Sequence, residues 1–141
     1  SQLTGINLQS TPEKGLALAI LKSRKFTNDF FDEYNLLPYF FSESWDFEKQ
    51  EWIGSPPKKR LIYLKMESLV SVTEDRATGI ITMSATDKDP VMAAKILNNL
   101  VSHLNKTVRM SAIRESELKI EYLNQELSKS SDSESRQMLY G

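Results

Sequence analysis

The chain has 141 residues, of which 40% are hydrophobic and 26% charged. This length and mixture describe one folded domain, or one domain with an appendage, rather than a disordered chain. Eighteen basic and nineteen acidic residues leave a net charge of −1, so no global field draws the chain to nucleic acid. The absence of cysteine excludes disulfides, zinc-thiolate sites and thiol nucleophiles, and a single histidine, His103, argues against a histidine metal cluster or a Ser/His/Asp triad. The longest apolar run, Leu16–Leu21, has 6 residues, far short of the roughly 18 that a membrane span needs.

In chain order, residues 1–11 (SQLTGINLQST) are polar and aperiodic and read as an extended segment. Thr11-Pro12-Glu13 is a helix start, with a cap, a proline at the first helical position and an acid in the first turn. Leu16, Ile20, Phe26, Phe30 and Tyr34, with Ala19 and Ser23 on the same side, predict one helix from Pro12 to Tyr34, capped at Asn35 and stopped before Pro38. Residues 39–54 (YFFSESWDFEKQEWIG) are aromatic without a period and predict a loop or short hairpin whose rings fold onto the core. Ser55-Pro56-Pro57 reads as a second helix start, leading to a short helix with Leu61, Leu64 and Tyr63 that ends near Glu67 or Ser68.

Val70 and Val72 alternate with polar residues. After Asp75–Gly79 the alternation resumes at Ile81, Met83 and Ala85, predicting an antiparallel hairpin with one buried face. Asp89-Pro90 then opens a long helix, with Ala93, Leu97, Leu100, Leu104 and Val108 as one stripe and Ile113, Ile120, Leu123 and Leu127 continuing an apolar side. The serine-rich 128–135 stretch (SKSSDSES) predicts fraying or a bend before Arg136–Tyr140.

From Asp89 to Leu127 such a helix spans about 58 Å, against a diameter of roughly 37 Å for a compact domain of this size. The expected fold is therefore α+β: a base of about 1–110 containing the hairpin sheet, and a long protruding C-terminal helix over about 89–140. The distal residues Ile120, Leu123 and Leu127 have nothing in the chain to cover them, which marks them as candidates for contact with another copy or a partner. A two-stranded sheet also wants companions, so the sequence reads as a piece of something longer.

Chemical motifs are sparse. His103, within the Leu100/Leu104 stripe, reads as a surface or half-buried helix residue, and Asp87 and Asp89 read as capping groups rather than cation ligands. Lys58, Lys59 and Arg60 form the tightest basic run and could meet a phosphate or an acidic glycan. The aromatics Phe40, Phe41, Trp45, Phe47 and Trp52 could stack on sugar rings, although a solvated helix start for the basic run and a local hydrophobic cluster for the aromatics are the commoner readings. Asn105-Lys106-Thr107 is a chance-level glycosylation sequon inside a helix. No glycine-rich phosphate loop, nucleophile elbow or HExxH is present. Neither a catalytic set nor a cofactor or metal site emerges.

Three stretches carry a resemblance. Leu18–Pro38 (LAILKSRKFTNDFFDEYNLLP), Leu69–Pro90 (LVSVTEDRATGIITMSATDKDP) followed by Ala93-Ala94 and Leu97-Asn98, and Tyr122–Tyr140 (YLNQELSKSSDSESRQMLY) resemble the chain-length determinant family, the Wzz-type polysaccharide co-polymerases of bacterial inner membranes. The resemblance covers nearly the whole chain and lies in the combined pattern. It implies a periplasmic domain between two transmembrane helices that lie outside this sequence, with a base strand expected ahead of Ser1. It also implies assembly into a homo-oligomer, and non-catalytic control of O-antigen, capsule or exopolysaccharide length together with a polymerase and the growing polysaccharide. A related branch fuses the module to a cytoplasmic tyrosine kinase, so the alternative expectation is the periplasmic module of such a kinase or of a glycan-export co-polymerase. The family supplies no catalytic residues to carry over.

Overall fold

A computed structural model of the chain describes residues 2–7 and 12–140, with side chains described over 14–132. The architecture is α+β with one long C-terminal helix, as expected, and it divides into two compact units at Lys106/Thr107.

The sheet of the first unit is built around its own middle strand. Strand β1 (Gln2–Asn7) and strand β4 (Val70–Glu74) both pair antiparallel with β5 (Ile80–Ala85), giving the order β1-β5-β4. The register sets Ile6 and Glu74 opposite Ile81, and Gln2 and Val70 opposite Ala85. β5 has the strict alternation of a strand with one face in the core: Ile81, Met83 and Ala85 are buried and the residues between them half-buried. The predicted hairpin is present. Its turn closes through Asp75, whose carbonyl accepts from the Gly79 N–H at 2.7 Å and whose Oδ1 accepts from the Ala77 N–H at 2.9 Å. Gly79 adopts φ +74°, a conformation that disfavours side chains. The companion strand that a hairpin needs comes from 2–7, a segment predicted only to be extended, so a strand ahead of Ser1 is not required for a third member.

The predicted helix from Pro12 to Tyr34 is two helices, α1 (Pro12–Leu21) and α2 (Arg24–Glu33). Ser23 interrupts them: its backbone is extended (φ −79°, ψ 142°) and its Oγ accepts from the Phe26 N–H at 3.0 Å. A serine side chain offers the backbone this alternative to a helical bond, so the apolar period runs through a point where the helix does not. The buried residues described in α1 are Lys14 and Ala17, whereas Ala19, predicted on the core side, is exposed. The expected Thr11 cap lies outside the described residues. α2 buries Phe26, Thr27, Phe30 and Phe31. It ends at Asn35 (φ +51°) with paired bonds from the Asn35 N–H to the Asp32 carbonyl (3.2 Å) and from the Leu36 N–H to the Phe31 carbonyl (2.9 Å), the Schellman termination that left-handed Asn permits.

After α3 (Leu37–Phe40) and a 3₁₀ turn at Ser42–Ser44, the aromatic stretch forms a small hairpin, β2 (Trp45–Asp46) and β3 (Glu51–Trp52). The predicted hairpin is there, and Phe40 ahead of it packs on the buried Phe31 as expected, but the hairpin's own rings do not reach the core: Trp45 and Trp52 pair with each other across the strands while Phe47 stands exposed at the turn. α4 (Lys59–Leu69) begins later than Ser55-Pro56 suggested, with Lys58 at its N-cap and no side-chain cap. Its buried face is Ile62, Met66 and Leu69, whereas Leu61 and Leu64, read from sequence as the apolar side, are exposed.

α5 (Pro90–Tyr140) is one helix of 51 residues. The Asp89 cap is as predicted, with its Oδ1 accepting from the Val91 N–H at 3.0 Å. The predicted fraying at 128–135 does not occur: serine costs a helix only a few tenths of a kcal/mol per residue, and no proline or glycine lies inside α5 beyond Pro90 at its first position. In the first unit α5 buries Ala93, Ile96, Leu97, Leu100, His103 and Leu104, whereas every described residue from Ala112 onward is exposed.

These environments make different substitutions cost different amounts. Leu100→Ala, at a site with no exposure, is expected to lower unfolding free energy by ~2–5 kcal/mol, and Ser23→Ala by ~1 kcal/mol through the lost cap. Leu127→Ala should stay within about 0.5 kcal/mol. Urea denaturation monitored by circular dichroism measures all three.

Candidate functional site

Three places hold side chains whose arrangement exceeds what the core requires. The first is the histidine. His103 is buried, its ring centroid 4.7 Å from Phe26, 5.7 Å from Phe30 and 6.0 Å from Tyr34, so three rings of the α2 region close around one residue of α5. Glu33 sits beside it, with Oε2 2.9 Å from His103 Nδ1 and Oε1 accepting from Lys106 Nζ at 3.0 Å. The Lys106 hydrogen bond holds the Glu33 carboxyl below the usual carboxylate range and raises Lys106 in turn. The histidine is thus deeper than the half-buried helix residue expected, and its neighbours make it a structural clasp.

The second place lies between the 3₁₀ turn and α4. A groove of about 670 Å³ is lined by Phe41, Pro56, Pro57, Leu61 and Leu64, with Lys58, Arg60, Ser44 and Ser55 supplying its polar atoms. The small aromatic hairpin springs from this groove: Ser44 precedes β2, and the Ile53 N–H donates to the Ser44 carbonyl at 2.8 Å. Trp45 and Trp52 therefore form the first cross-strand pair beyond it, edge to face with centroids 4.8 Å apart. A second hollow of about 460 Å³ shares Phe41 and Ser44 and is lined on its far side by Tyr39, Lys65 and Lys88. There the Tyr39 hydroxyl donates to Asp87 Oδ2 at 2.7 Å, a bond that pushes the phenol pKa up.

The third place is the second unit. Ile120, Leu123 and Leu127 are 58%, 58% and 65% exposed and, at spacings of three, four and seven, share one helix face. Adjoining it, Leu118, Tyr122 and Leu123 line an apolar dimple flanked by Glu115 and Lys119.

Of the residues singled out by sequence, Lys58 and Arg60 come together on the groove, Lys59 does not line it, and the two tryptophans come together with each other. Phe41, one of the aromatics offered for sugar stacking, also lines the groove, whereas Leu61 and Leu64 were missed as surface residues. The signal that could have found them is the Ile62/Met66/Leu69 spacing, which claims the opposite face of α4. Among the described residues no group of three or more His, Cys, Asp or Glu could hold a metal ion, and no helix is long and apolar enough to cross a membrane. No family model matches the chain, and no curated protein or solved structure matches it.

The Glu33 arrangement has a pH consequence. A carboxyl whose folded pKa is depressed stabilises the fold above its unfolded pKa, and loses that contribution as pH falls through the folded value. Glu33→Gln should therefore lower the melting temperature at pH 7, and the gap to the parent chain should narrow on acidification to about pH 3. Thermal melts of both proteins across that range test the direction. A gap that widens in acid would contradict it.

Proposed function

We propose that this chain is the periplasm-facing part of a bacterial inner-membrane protein that regulates polysaccharide chain length without catalysing a reaction. In this reading copies of the protein assemble side by side and work beside the polymerase, and the assembly governs how long the growing polysaccharide stays engaged. The observation that carries the reading is the exposed apolar face of α5 at Ile120, Leu123 and Leu127. Apolar side chains aligned on an exposed helix face are a contact surface awaiting a partner, and a second copy of the same helix is the partner the reading names. The resemblance of the 18–38, 69–98 and 122–140 stretches to the chain-length determinant family supplies the substrate class.

The chemistry fits a scaffold. Lys119 and Glu115 form an ion pair along the helix (3.4 Å), and Glu121, Asn124 and Glu126 interleave with the apolar residues. This keeps the helix compatible with water while leaving a strip for association.

Deleting the gene in the source bacterium and resolving its surface polysaccharide on a gel should change a modal length distribution into an unregulated one. The chromosomal Ile120→Glu/Leu123→Glu/Leu127→Glu variant should reproduce that change. It should also abolish concentration-dependent association in sedimentation while leaving the melting temperature intact, since all three residues are exposed. An unchanged ladder after deletion overturns the proposal.

A further inference from the structure

We propose that the groove between the Ser42–Ser44 turn and α4 is a binding site for an acidic saccharide, a chain of sugars bearing ring carboxylates. The proposal deepens the polysaccharide reading and rests on it for the biological source of the ligand, while the site itself is argued from its own geometry.

The floor is apolar and held in place. Leu61 and Leu64 project from α4 on the side away from Ile62, Met66 and Leu69, whose burial fixes the helix, so the two leucines are presented to solvent by a rigid element. Phe41 and Pro57 complete a surface of ring and branched-chain carbon. Sugar rings carry C–H faces that pack on such carbon, and Ser44 and Ser55 offer hydroxyls for their polar edges.

The walls are cationic. Among the described residues, the charged ones lining this groove are Lys58 and Arg60. Across Phe41 and Ser44, the neighbouring hollow adds Lys65 and Lys88 against Glu43 and Asp87. Asp87 is already engaged by the Tyr39 hydroxyl and by the Asp89 N–H (3.1 Å). Four cations against two carboxylates leave a local excess of two positive charges, on a chain whose net charge is −1. Arg60 brings a planar fork suited to a carboxylate and Lys58 a mobile point charge.

Two adjoining hollows joined at one turn suit an extended ligand with repeating carboxylates better than a single sugar. The Trp45–Trp52 pair, one residue beyond Ser44, places further ring surface at the same margin. Hydroxyl-rich rings, carboxylates at intervals and apolar C–H faces are the chemistry of an acidic polysaccharide. A peptide carrying only carboxylates would use the cations and leave the floor uncovered.

Titration of the chain with hexagalacturonate at low salt, read by calorimetry and amide shifts, should give saturable binding with shifts at Phe41, Ser44, Leu61 and Leu64. Lys58→Ala/Arg60→Ala should weaken it about tenfold, the scale of two partly exposed charge-assisted contacts. Leu61→Ser/Leu64→Ser should weaken it with the charges intact, and Lys95→Ala/Lys119→Ala, which line neither hollow, should not. Hexaglutamate and maltohexaose should each bind far more weakly than hexagalacturonate. Absence of saturation, affinity unchanged in the groove variants, equal binding of hexaglutamate, or tighter binding of a proline-rich peptide would each overturn the site. Saturable hexagalacturonate binding at the groove together with an unchanged polysaccharide ladder after gene deletion would sustain the site and remove the chain-length reading. A changed ladder with no binding would do the reverse.

Discussion

The first unit depends on how the N-terminal half of α5 is kept dry. Ile96, Leu97 and Leu100 are fully buried and Leu104 nearly so, and each such side chain contributes about 1.5–3 kcal/mol relative to exposure. The same face carries His103 three residues beyond Leu100, and there the packing changes character from aliphatic to aromatic. Phe26, Phe30 and Tyr34 surround the imidazole, and Glu33, one residue before Tyr34, reaches its Nδ1 and Lys106 with different oxygens. The helix is therefore held by a non-directional core at one end and a directional clasp at the other. A core alone tolerates small rotations of a helix, whereas a ring bracketed by three rings and a carboxylate does not.

A fixed α2 then constrains the next stretch of chain. The Asn35 termination turns the backbone sharply, with Leu36 buried as its anchor, and the segment from Leu37 to Ser44 is tied to α4 and to the β5–α5 connection. Phe40 packs on Phe31 (5.9 Å) and under Lys65 Nζ (5.0 Å), and Tyr39 bonds to Asp87. These contacts place Phe41 and Ser44 against α4, and the groove results from that placement. α4 has to serve two faces at once: Ile62, Met66 and Leu69 satisfy the core, and Leu61 and Leu64 are left outward. Two large aliphatic residues exposed on a helix that already has a full core face are hard to explain as packing.

Residues whose structure depends on near neighbours were readable in advance. The alternation at Ile81, Met83 and Ala85 declared the central strand, Asp89-Pro90 declared the start of α5, and Asn35 declared the end of α2. What escaped depended on partners distant in sequence or on competition between equal local options. Ser23 sits in an unbroken apolar period, and only its capping bond to Phe26 shows that the backbone leaves the helix there. Leu61 and Leu64 match a helical face as well as Ile62, Met66 and Leu69 do, and the tertiary environment chose the second set. The 2–7 strand has no sustained alternation, because its role is set by β5, its neighbour from the far end of the first unit's sequence. The groove was half legible: Lys58, Arg60 and Phe41 stood out by type, as did the tryptophans just beyond it, but it is assembled from chain segments at 41–44, 55–58 and 60–64 whose adjacency no spacing rule encodes.

The two halves of α5 show how little of a helix's fate is intrinsic. Both halves carry leucine and isoleucine at helical spacing. Upstream of Lys106 those residues are at 0–2% exposure, and from Ile113 to Leu127 they are at 47% or more. Ile113, Ile120 and Leu127 recur every seven residues and Leu123 falls between the last two. Ser116 and Ser130 occupy the corresponding alternate positions, so this repeat is interrupted, and Leu118 and Tyr122 widen it only beside Leu123. A strip on one helix cannot bury what a globular core buries; it suits contact with a slender element of similar curvature, which in the oligomeric reading is another α5. The serines that spare the helix from a continuous apolar seam also limit the strength of each pairwise contact. An assembly built on them would draw its stability from the number of copies joined rather than from any one pair.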